Sequence, residues 1–171
     1  SVRSRQETTH YIDRPTKGGS RKRVKMKPMP GVGGKVAMLL SPNLIGILDT
    51  KYENITEVSF KQSKIMDICP LDAEHLLLAA SDGIYGYDLR AKSFGKMSML
   101  SGQTVQALCR NTDGDFWVAY GGDKITKWIP SRNQSIPLLG CNGMLNRQTR
   151  VNDIFEDDNG LLWVATSNMG V

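Results

Sequence analysis

Histidine and cysteine, the residues most often found in metal and catalytic centres, are scarce in this sequence. It has two histidines, His10 and His75, and three cysteines, none of them in a C-x-x-C spacing. This composition disfavours a histidine-rich or cysteine-rich metal site, and an odd cysteine count disfavours a disulfide scaffold. The G-x-S-x-G elbow of serine hydrolases is also missing. We therefore expect no metal, no cofactor and no catalytic residue in this chain.

Long hydrophobic runs are missing as well. No stretch approaches the roughly 20 apolar residues of a membrane span, and no secretory signal follows Ser1. We expect that the sequence begins within a longer protein or after processing, so its location does not follow directly from it. An apolar content of 40% and a charged content of 23% in 171 residues are typical of a globular domain with a core.

Positive charge is concentrated in residues 14–27. This basic segment has seven lysines and arginines and no acid, whereas the whole chain carries a net charge of +5. Such a segment can attract phosphate or sulfate, but no aromatic side chain alternates with the charges, as stacking on single-stranded nucleic acid would require. A sulfated or uronic-acid glycan stays open as a ligand. The simplest interpretation is a solvated loop followed by a solvent-facing strand over residues 23–29.

A repeated unit recurs along the chain. Three segments align when each is numbered from 0 at Ile65, Val105 and Val151, and the unit restarts after 40 and then 46 residues. Position 9 is glycine in the last two copies, and position 12 is large and apolar in all three: Leu77, Trp117 and Trp163. Self-similarity at such a period is the signature of a repeat protein.

Position 4 of the unit is occupied by Cys69, Cys109 and Phe155. A position that accepts both cysteine and phenylalanine is best explained as a buried apolar one, because a free cysteine behaves as a small hydrophobic residue. The third cysteine, Cys141, lies in a loop rich in Gly and Asn and has no evident disulfide partner.

Each unit contains four short strands separated by turn residues, and no stretch has a helical apolar period, so we expect almost no helix. Four strands in 40–46 residues predict an all-β fold of β-propeller blades with apolar inner strands and a polar outer strand. Because propellers usually close with about four to eight blades, we expect a segment of a larger propeller. This single domain has five predicted divisions. Residues 1–23 form the tail of a preceding blade and the basic loop. Three blades follow at 24–60, 65–99 and 105–139, and a partial blade lies at 151–171.

The last unit resembles the repeat of the two-component regulator propellers, roughly V-x-x-I-x-E-D-x-x-G-x-L-W-(V/I)-(A/G)-T-x-x-G-(V/L). The matching residues are Val151, Ile154, Glu156, Asp157, Gly160, Leu162, Trp163, Val164, Ala165, Thr166, Gly170 and Val171. The unit at Val105 matches more loosely, and the first unit has Met38 where the repeat has Trp.

The resemblance implies the periplasmic sensor region of a hybrid two-component system of Bacteroides-type gut bacteria. Such a region would detect an oligosaccharide, pair with a second copy through the full ectodomain, and signal through a membrane helix to a histidine kinase, both outside this chain. It implies no enzyme and no nucleic-acid partner in this segment. Two alternatives stay open: a propeller lyase or hydrolase acting on polysaccharide, and a protein-binding scaffold of the WD-repeat kind, whose Gly-His and Trp-Asp signatures are missing here.

Candidate ligand residues follow from placement, because the resemblance carries no fixed ligand motif. Propeller ligands are expected on the face formed by the loops between blades and by the turns between second and third strands. Tyrosine can stack on a sugar, and Asp, Asn and Arg can hydrogen-bond hydroxyls or carboxylates. The candidates on that face are Arg21, Arg23, Asp82, Tyr120, Asp123, Arg147, Arg150 and Asn168.

Overall fold

The structure is a computed structural model. It describes residues 24–31, 33–138 and 149–167, and also the backbone of residues 14–15 and 21–22.

The described chain consists of successive antiparallel sheets. Strands β1 (Arg14–Pro15) and β2 (Arg21–Lys22) form a short pair within the predicted basic loop. Blade 1 contains β3 (Lys25–Pro28), β4 (Lys35–Ser41), β5 (Leu44–Asp49) and β6 (Asn54–Ser59). Blade 2 contains β7 (Ile65–Pro70), β8 (His75–Ala80), β9 (Gly83–Asp88) and β10 (Ser93–Lys96). Blade 3 contains β11 (Val105–Arg110), β12 (Phe116–Tyr120), β13 (Lys124–Ile129) and β14 (Gln134–Pro137), and the two described strands of blade 4 are β15 (Val151–Glu156) and β16 (Leu162–Thr166).

In every blade the strands lie in sequence order, each paired antiparallel with its neighbour in the chain. The predicted fold class, an all-β propeller segment with four-stranded blades, is confirmed. Among the described residues the one helical element is a single 3-10 turn, Pro130–Arg132. No helix in this part of the chain has the length and apolarity needed to cross a bilayer.

The blades are held together by apolar side chains that pack between consecutive sheets. Between blades 1 and 2, Phe60 is buried among Ile45, Leu76 and Tyr85. Between blades 2 and 3, the residues in contact are Cys69, Leu77, Val105, Leu108, Phe116 and Trp128. Between blades 3 and 4 they are Cys109, Ala119, Val151 and Ile154. Cys69 and Cys109 are both buried thiols, as their shared repeat position predicts. The prediction is wrong for the third residue at that position, because Phe155 is 40% exposed.

Glycine at position 9 is explained by the turns after β11 and β15. Gly114 and Gly160 have φ angles of 90° and 77°, a region that residues with a Cβ rarely adopt. Their N–H groups donate to the carbonyl oxygens of Asn111 and Asp157 at 3.2 and 2.9 Å, which closes each turn. Blade 2 closes the same turn differently, because the Asp72 carboxylate accepts the N–H of Glu74 at 2.8 Å.

Candidate functional site

The first strands of the four blades lie side by side, and a cluster of charged side chains joins them. Lys25 and Lys27 extend from β3 toward Asp67 on β7. The ammonium nitrogen of Lys25 lies 3.1 Å from Asp67 Oδ1, and that of Lys27 lies 3.4 Å from Asp67 Oδ2. Lys25 is also 3.5 Å from Asp153 Oδ2 on β15. Two cations therefore face two anions, and we call these four residues the axial cluster.

Backbone groups from three blades complete the axial cluster. The fully buried Asp67 carboxylate accepts the N–H of Ile68 at 2.9 Å and, across the blade boundary, the N–H of Leu108 at 3.0 Å. Lys27 donates to the Leu108 carbonyl at 3.2 Å, and Lys25 donates to the Asn152 carbonyl at 2.9 Å. A buried charge is tolerated only with such partners, so the cluster fixes the first strands of blades 1 to 4 relative to one another.

Both partners of the buried pair stay charged at neutral pH. Burial acts to raise the pKa of Asp67, but Lys27, Lys25 and the Leu108 N–H outweigh it and lower that pKa. Burial likewise acts to lower the pKa of Lys27, but the Asp67 carboxylate outweighs it and raises that pKa. Asp67 and Lys27 are therefore held as an ion pair between the first strands of blades 1 and 2.

The interpretation of the basic segment as a solvated loop and solvent-facing strand is wrong for its last two lysines. The side chains of Lys25 and Lys27 are only 20% and 24% exposed. The reason is the position of β3, which is the innermost strand of blade 1. Val24 and Met26 pack on Met38 inside the blade, so the alternating lysines project toward the other first strands.

A cavity of about 780 Å³ adjoins the axial cluster, at the end of the first strands that carries the turns to the second strands. Its lining includes Met26, Met29, Lys27, Cys69, Cys109, Arg110, Asn111 and Phe155. Several of its polar groups already have partners within the protein. Arg110 donates to the Leu71 carbonyl at 2.8 Å, and the Asn111 side-chain oxygen accepts the N–H of Asp115 at 2.8 Å. The Phe155 ring in this lining is half-exposed.

The Cys69 thiol in the cavity wall is disfavoured from ionising. Burial raises the pKa of Cys69 to about 12, and the nearby Lys27 ammonium offsets this only in part. Because the thiolate is the reactive form, Cys69 is a packing residue and not a nucleophile.

We predict that Cys69 resists alkylation in the folded chain. With iodoacetamide at pH 8, its modification should be about a thousandfold slower in the native chain than in urea, since the native thiolate fraction falls by about that factor. Mass spectrometry of the peptide that contains Cys69 measures both rates. Similar rates in the native and unfolded chain would show an accessible, ionisable thiol and contradict the assignment.

Of the eight predicted ligand residues, Arg23, Arg147 and Asn168 lie outside the described residues, and Arg21 is described only as backbone in β2. The other four are Asp82 in the β8–β9 turn, Tyr120 at the end of β12, Asp123 in the β12–β13 turn, and Arg150 just before β15. They share the end of the blades opposite the cavity. Within the described part of the chain, no hydrogen bond or ion pair joins any two of these four.

Asp82 is already engaged within blade 2. Its carboxylate accepts the Lys96 ammonium at 2.6 Å and the Tyr85 hydroxyl at 2.8 Å. The hydrogen bond from Lys96 is the main reason that the pKa of Asp82 is lowered to about 2. Asp82 therefore links the β8–β9 turn to β10, a structural role that competes with ligand binding. The Tyr120 ring is half-buried, with the Lys124 ammonium 5.7 Å from its centre.

The axial cluster and the cavity were not foreseen from the sequence. The sequence did contain a signal for the axial cluster. Asp67 interrupts an otherwise apolar strand, and Asp153 occupies the same position 2 in a later unit. Both carboxylates accept the N–H of the residue that follows them, Ile68 at 2.9 Å and Ile154 at 3.0 Å. A register shift lies at this point in both β7 and β15, and a bulge of this kind redirects a side chain.

Comparison with known proteins supports the resemblance in the last unit. The family model for the two component regulator propeller matches residues 147–168, so the predicted resemblance is confirmed there. No curated protein sequence matches the chain.

Solved structures resemble the chain over most of its length. The extracellular domain of a protein assigned as a hybrid two component system of Bacteroides thetaiotaomicron aligns with 94% of this chain at 13% identity and a TM-score of 0.65. An auxiliary nutrient binding protein of the same organism aligns with 78% of this chain and 33% of its own, at 12% identity and a TM-score of 0.64. A streptogramin B lyase aligns with 92% of this chain and 51% of its own, at 17% identity and a TM-score of 0.57. At these identities the likeness shows the propeller fold, and this chain spans 22% of the extracellular domain.

Proposed function

We propose that this chain is a ligand-sensing propeller segment of the extracytoplasmic domain of a hybrid two-component receptor. It detects an oligosaccharide in the periplasm, and the signal passes to a histidine kinase elsewhere in the receptor. The observation that carries the proposal is the match of residues 147–168 to the two component regulator propeller. The likeness of 94% of the chain to an extracellular domain of a hybrid system supports it through the fold.

The arrangement of the side chains in the axial cluster and the cavity suits ligand binding better than catalysis. The buried carboxylate of Asp67 is held as an ion pair, and burial raises the pKa of the Cys69 thiol. Blades that pack through continuous apolar interfaces form a rigid support, and ligand-binding residues on turns are then held in place by that support. A ligand would act by favouring one arrangement of two paired ectodomains over another, which the membrane helix conveys to the kinase. Neither a nucleic acid nor a cofactor enters this scheme.

We place the oligosaccharide at the end of the blades that carries Tyr120, Asp123 and Arg150. Tyr120 offers a ring on which a sugar can stack, Asp123 an acceptor for hydroxyls, and Arg150 a donor. Arg150 is exposed, and within the described residues neither its side chain nor that of Asp123 has a hydrogen-bond partner. Asp82 is the weaker candidate because Lys96 already neutralises it. An anionic glycan is the preferred class if the remaining cations of the basic segment face the same ligand.

Calorimetry on the complete ectodomain tests this proposal. Neutral, sulfated and uronic-acid oligosaccharides are titrated into the unaltered protein and into three variants, Tyr120→Ala, Asp123→Asn and Asp113→Asn. We expect one class of oligosaccharide to bind, with at least about tenfold weaker binding in the first two variants, since each loses a stacking or hydrogen-bonding group. Asp113→Asn is the matched control, because Asp113 lines the cavity at the opposite end.

Four outcomes of that experiment would count against the proposal or parts of it. Preference for neutral sugars would remove the anionic class, and weakening by Asp113→Asn alone would move the site to the cavity. Failure of every oligosaccharide to bind would contradict the proposal itself and favour a protein-binding scaffold. Release of new sugar ends during the titration would favour a polysaccharide lyase or hydrolase.

A further inference from the structure

The two ends of the blades differ in charge. We call the end that carries Tyr120 the Tyr120 end and the opposite one, which adjoins the cavity, the cavity end. At the cavity end, the turns between first and second strands of blades 2 to 4 hold six acids and no lysine or arginine: Asp72, Glu74, Asp113, Asp115, Asp157 and Asp158. At the Tyr120 end, the described loops and the strand residues beside them hold two acids, Asp82 and Asp123, and five cations: Lys61, Lys64, Lys96, Lys124 and Arg150. Such a charge distribution attracts anions to the Tyr120 end.

Most of the cations at the Tyr120 end are not neutralised within the protein. Lys96 is the exception, since its ammonium lies 2.6 Å from the Asp82 carboxylate. At the cavity end, by contrast, Arg90 is paired with Glu74 at 2.7 Å. The four other cations of the Tyr120 end are exposed, and within the described part of the chain none has a carboxylate partner: Lys61, Lys64, Lys124 and Arg150. Their charges are available to a ligand.

Two of these cations occupy the same place in their repeats. Position −1, the residue just before the first strand, is Lys64 in blade 2, Thr104 in blade 3 and Arg150 in blade 4. The carbonyl oxygen of each accepts the N–H at position 16, at 2.9, 3.0 and 3.0 Å: Ser81, Gly121 and Ser167. Position −1 is therefore fixed to the end of the second strand in all three blades, although it lies in a loop.

The first strands converge, so Lys64 and Arg150 lie at the entrance to one region. The ammonium of Lys25 contacts Asp67, three residues after Lys64, at 3.1 Å. The same ammonium donates to the carbonyl of Asn152, two residues after Arg150, at 2.9 Å. One side chain thus bridges the two strands that begin just after these cations. The axial cluster between the strands holds two cations and two anions, so it does not cancel the charge at their entrance.

From this placement we infer that Lys64 and Arg150 form a cation site that binds the sulfate or carboxylate groups of an anionic oligosaccharide. The inference rests on the proposed function and narrows its ligand class without relying on the basic segment. Arginine can bind a sulfate or carboxylate through two parallel hydrogen bonds, and lysine acts as a point charge. Tyr120 lies at the same end, where its ring can stack on the sugar while the two cations hold the anionic substituents.

Calorimetry on the complete ectodomain tests the cation site. Sulfated, uronic-acid and neutral oligosaccharides are titrated into the unaltered protein, Lys64→Gln, Arg150→Gln and the control Lys51→Gln. Lys51 is an exposed lysine in the β5–β6 turn at the cavity end. We expect an anionic oligosaccharide to bind at least about tenfold more weakly to each of the first two variants, because each loses a charge-assisted hydrogen bond, and less than twofold more weakly to the control. Comparison of the sulfated with the uronic-acid ligand identifies which anion the site prefers.

The outcomes separate this inference from the proposed function. Binding of a neutral oligosaccharide alone, or an anionic one whose affinity Lys64→Gln and Arg150→Gln leave unchanged, would overturn the cation site and leave oligosaccharide sensing intact. If no oligosaccharide binds, inorganic sulfate tests the site alone, with sodium chloride at equal ionic strength as the blank. A rise in the melting temperature of the ectodomain that the double variant Lys64→Gln/Arg150→Gln loses, and Lys51→Gln keeps, would support an anion site without oligosaccharide sensing. The same response to sulfate in the unaltered protein and the double variant would overturn both.

Discussion

Replacing Asp67 with asparagine is expected to lower the free energy of unfolding of the chain by about 3–5 kcal/mol, as is usual when one partner of a buried ion pair is removed. The Asp67 carboxylate is fully buried and faces two lysine ammonium groups, at 3.1 and 3.4 Å. Without it, Lys25 and Lys27 would repel each other in a region with little solvent. Urea denaturation of the unaltered chain and of Asp67→Asn, followed by circular dichroism, measures the difference.

The matched control for this prediction is Asp153→Asn. Asp153 occupies the same repeat position, but its side chain is 36% exposed and lies 3.5 Å from Lys25. Removing a partly solvated charge should change stability by less than about 1 kcal/mol. If Asp67→Asn were as mild as Asp153→Asn, the axial cluster would not be what holds the first strands together.

The pH dependence of stability follows from the same pair. The pKa of Asp67 is lower in the folded chain than in the unfolded one, so its stabilisation is present above its unfolded pKa of about 4 and is lost as pH falls through the folded pKa. The pKa of Lys27 is raised, so its stabilisation is present below its unfolded pKa of about 10 and is lost as pH rises through the folded pKa. Between these limits the pair should contribute a constant amount. The Asp67→Asn variant should lose less stability than the unaltered chain in strong acid.

The second large effect is expected from Phe60→Ala, which should lower the free energy of unfolding by about 3–5 kcal/mol. Phe60 is 1% exposed and makes edge-to-face contacts with Tyr85 and Phe94, with ring centres 5.0 and 5.1 Å apart. Alanine would leave a cavity at the interface of blades 1 and 2 and would also remove both ring contacts. The same urea denaturation measures this loss.

Tyr52→Ala is the control for Phe60→Ala. Tyr52 lies in the β5–β6 turn and is 66% exposed, so its removal should change stability by less than about 0.5 kcal/mol. Phe60→Leu should fall between the two variants, because leucine fills most of the space. A Phe60→Ala variant as stable as Tyr52→Ala would mean that blades 1 and 2 do not form one cooperative unit.

The fold could be predicted from the sequence because its determinants are local and periodic. The spacing of Leu77, Trp117 and Trp163 reveals the repeat, and alternation of apolar runs with turn residues marks the strands. The turn glycines Gly114 and Gly160 are recognisable for the same reason, since their positive φ is set by the turn itself.

The axial cluster could not be predicted in the same way. Lys25 and Asp67 are 42 residues apart in sequence and meet only because the first strands of separate blades converge. Nothing local distinguishes a lysine on an innermost strand from one on a solvent-facing strand. The candidate ligand residues could be predicted only in part for the same reason. The sequence assigns Tyr120, Asp123 and Arg150 to one end of the blades. The distances between their side chains are set by the angles between the blades, which local sequence does not encode.

Reading the gene on both sides of this segment tests the proposed receptor most directly. We expect further propeller repeats, then a membrane helix and a histidine-kinase module downstream of Val171. A stop codon shortly after Val171, with only a start codon upstream of Ser1, would contradict the receptor assignment.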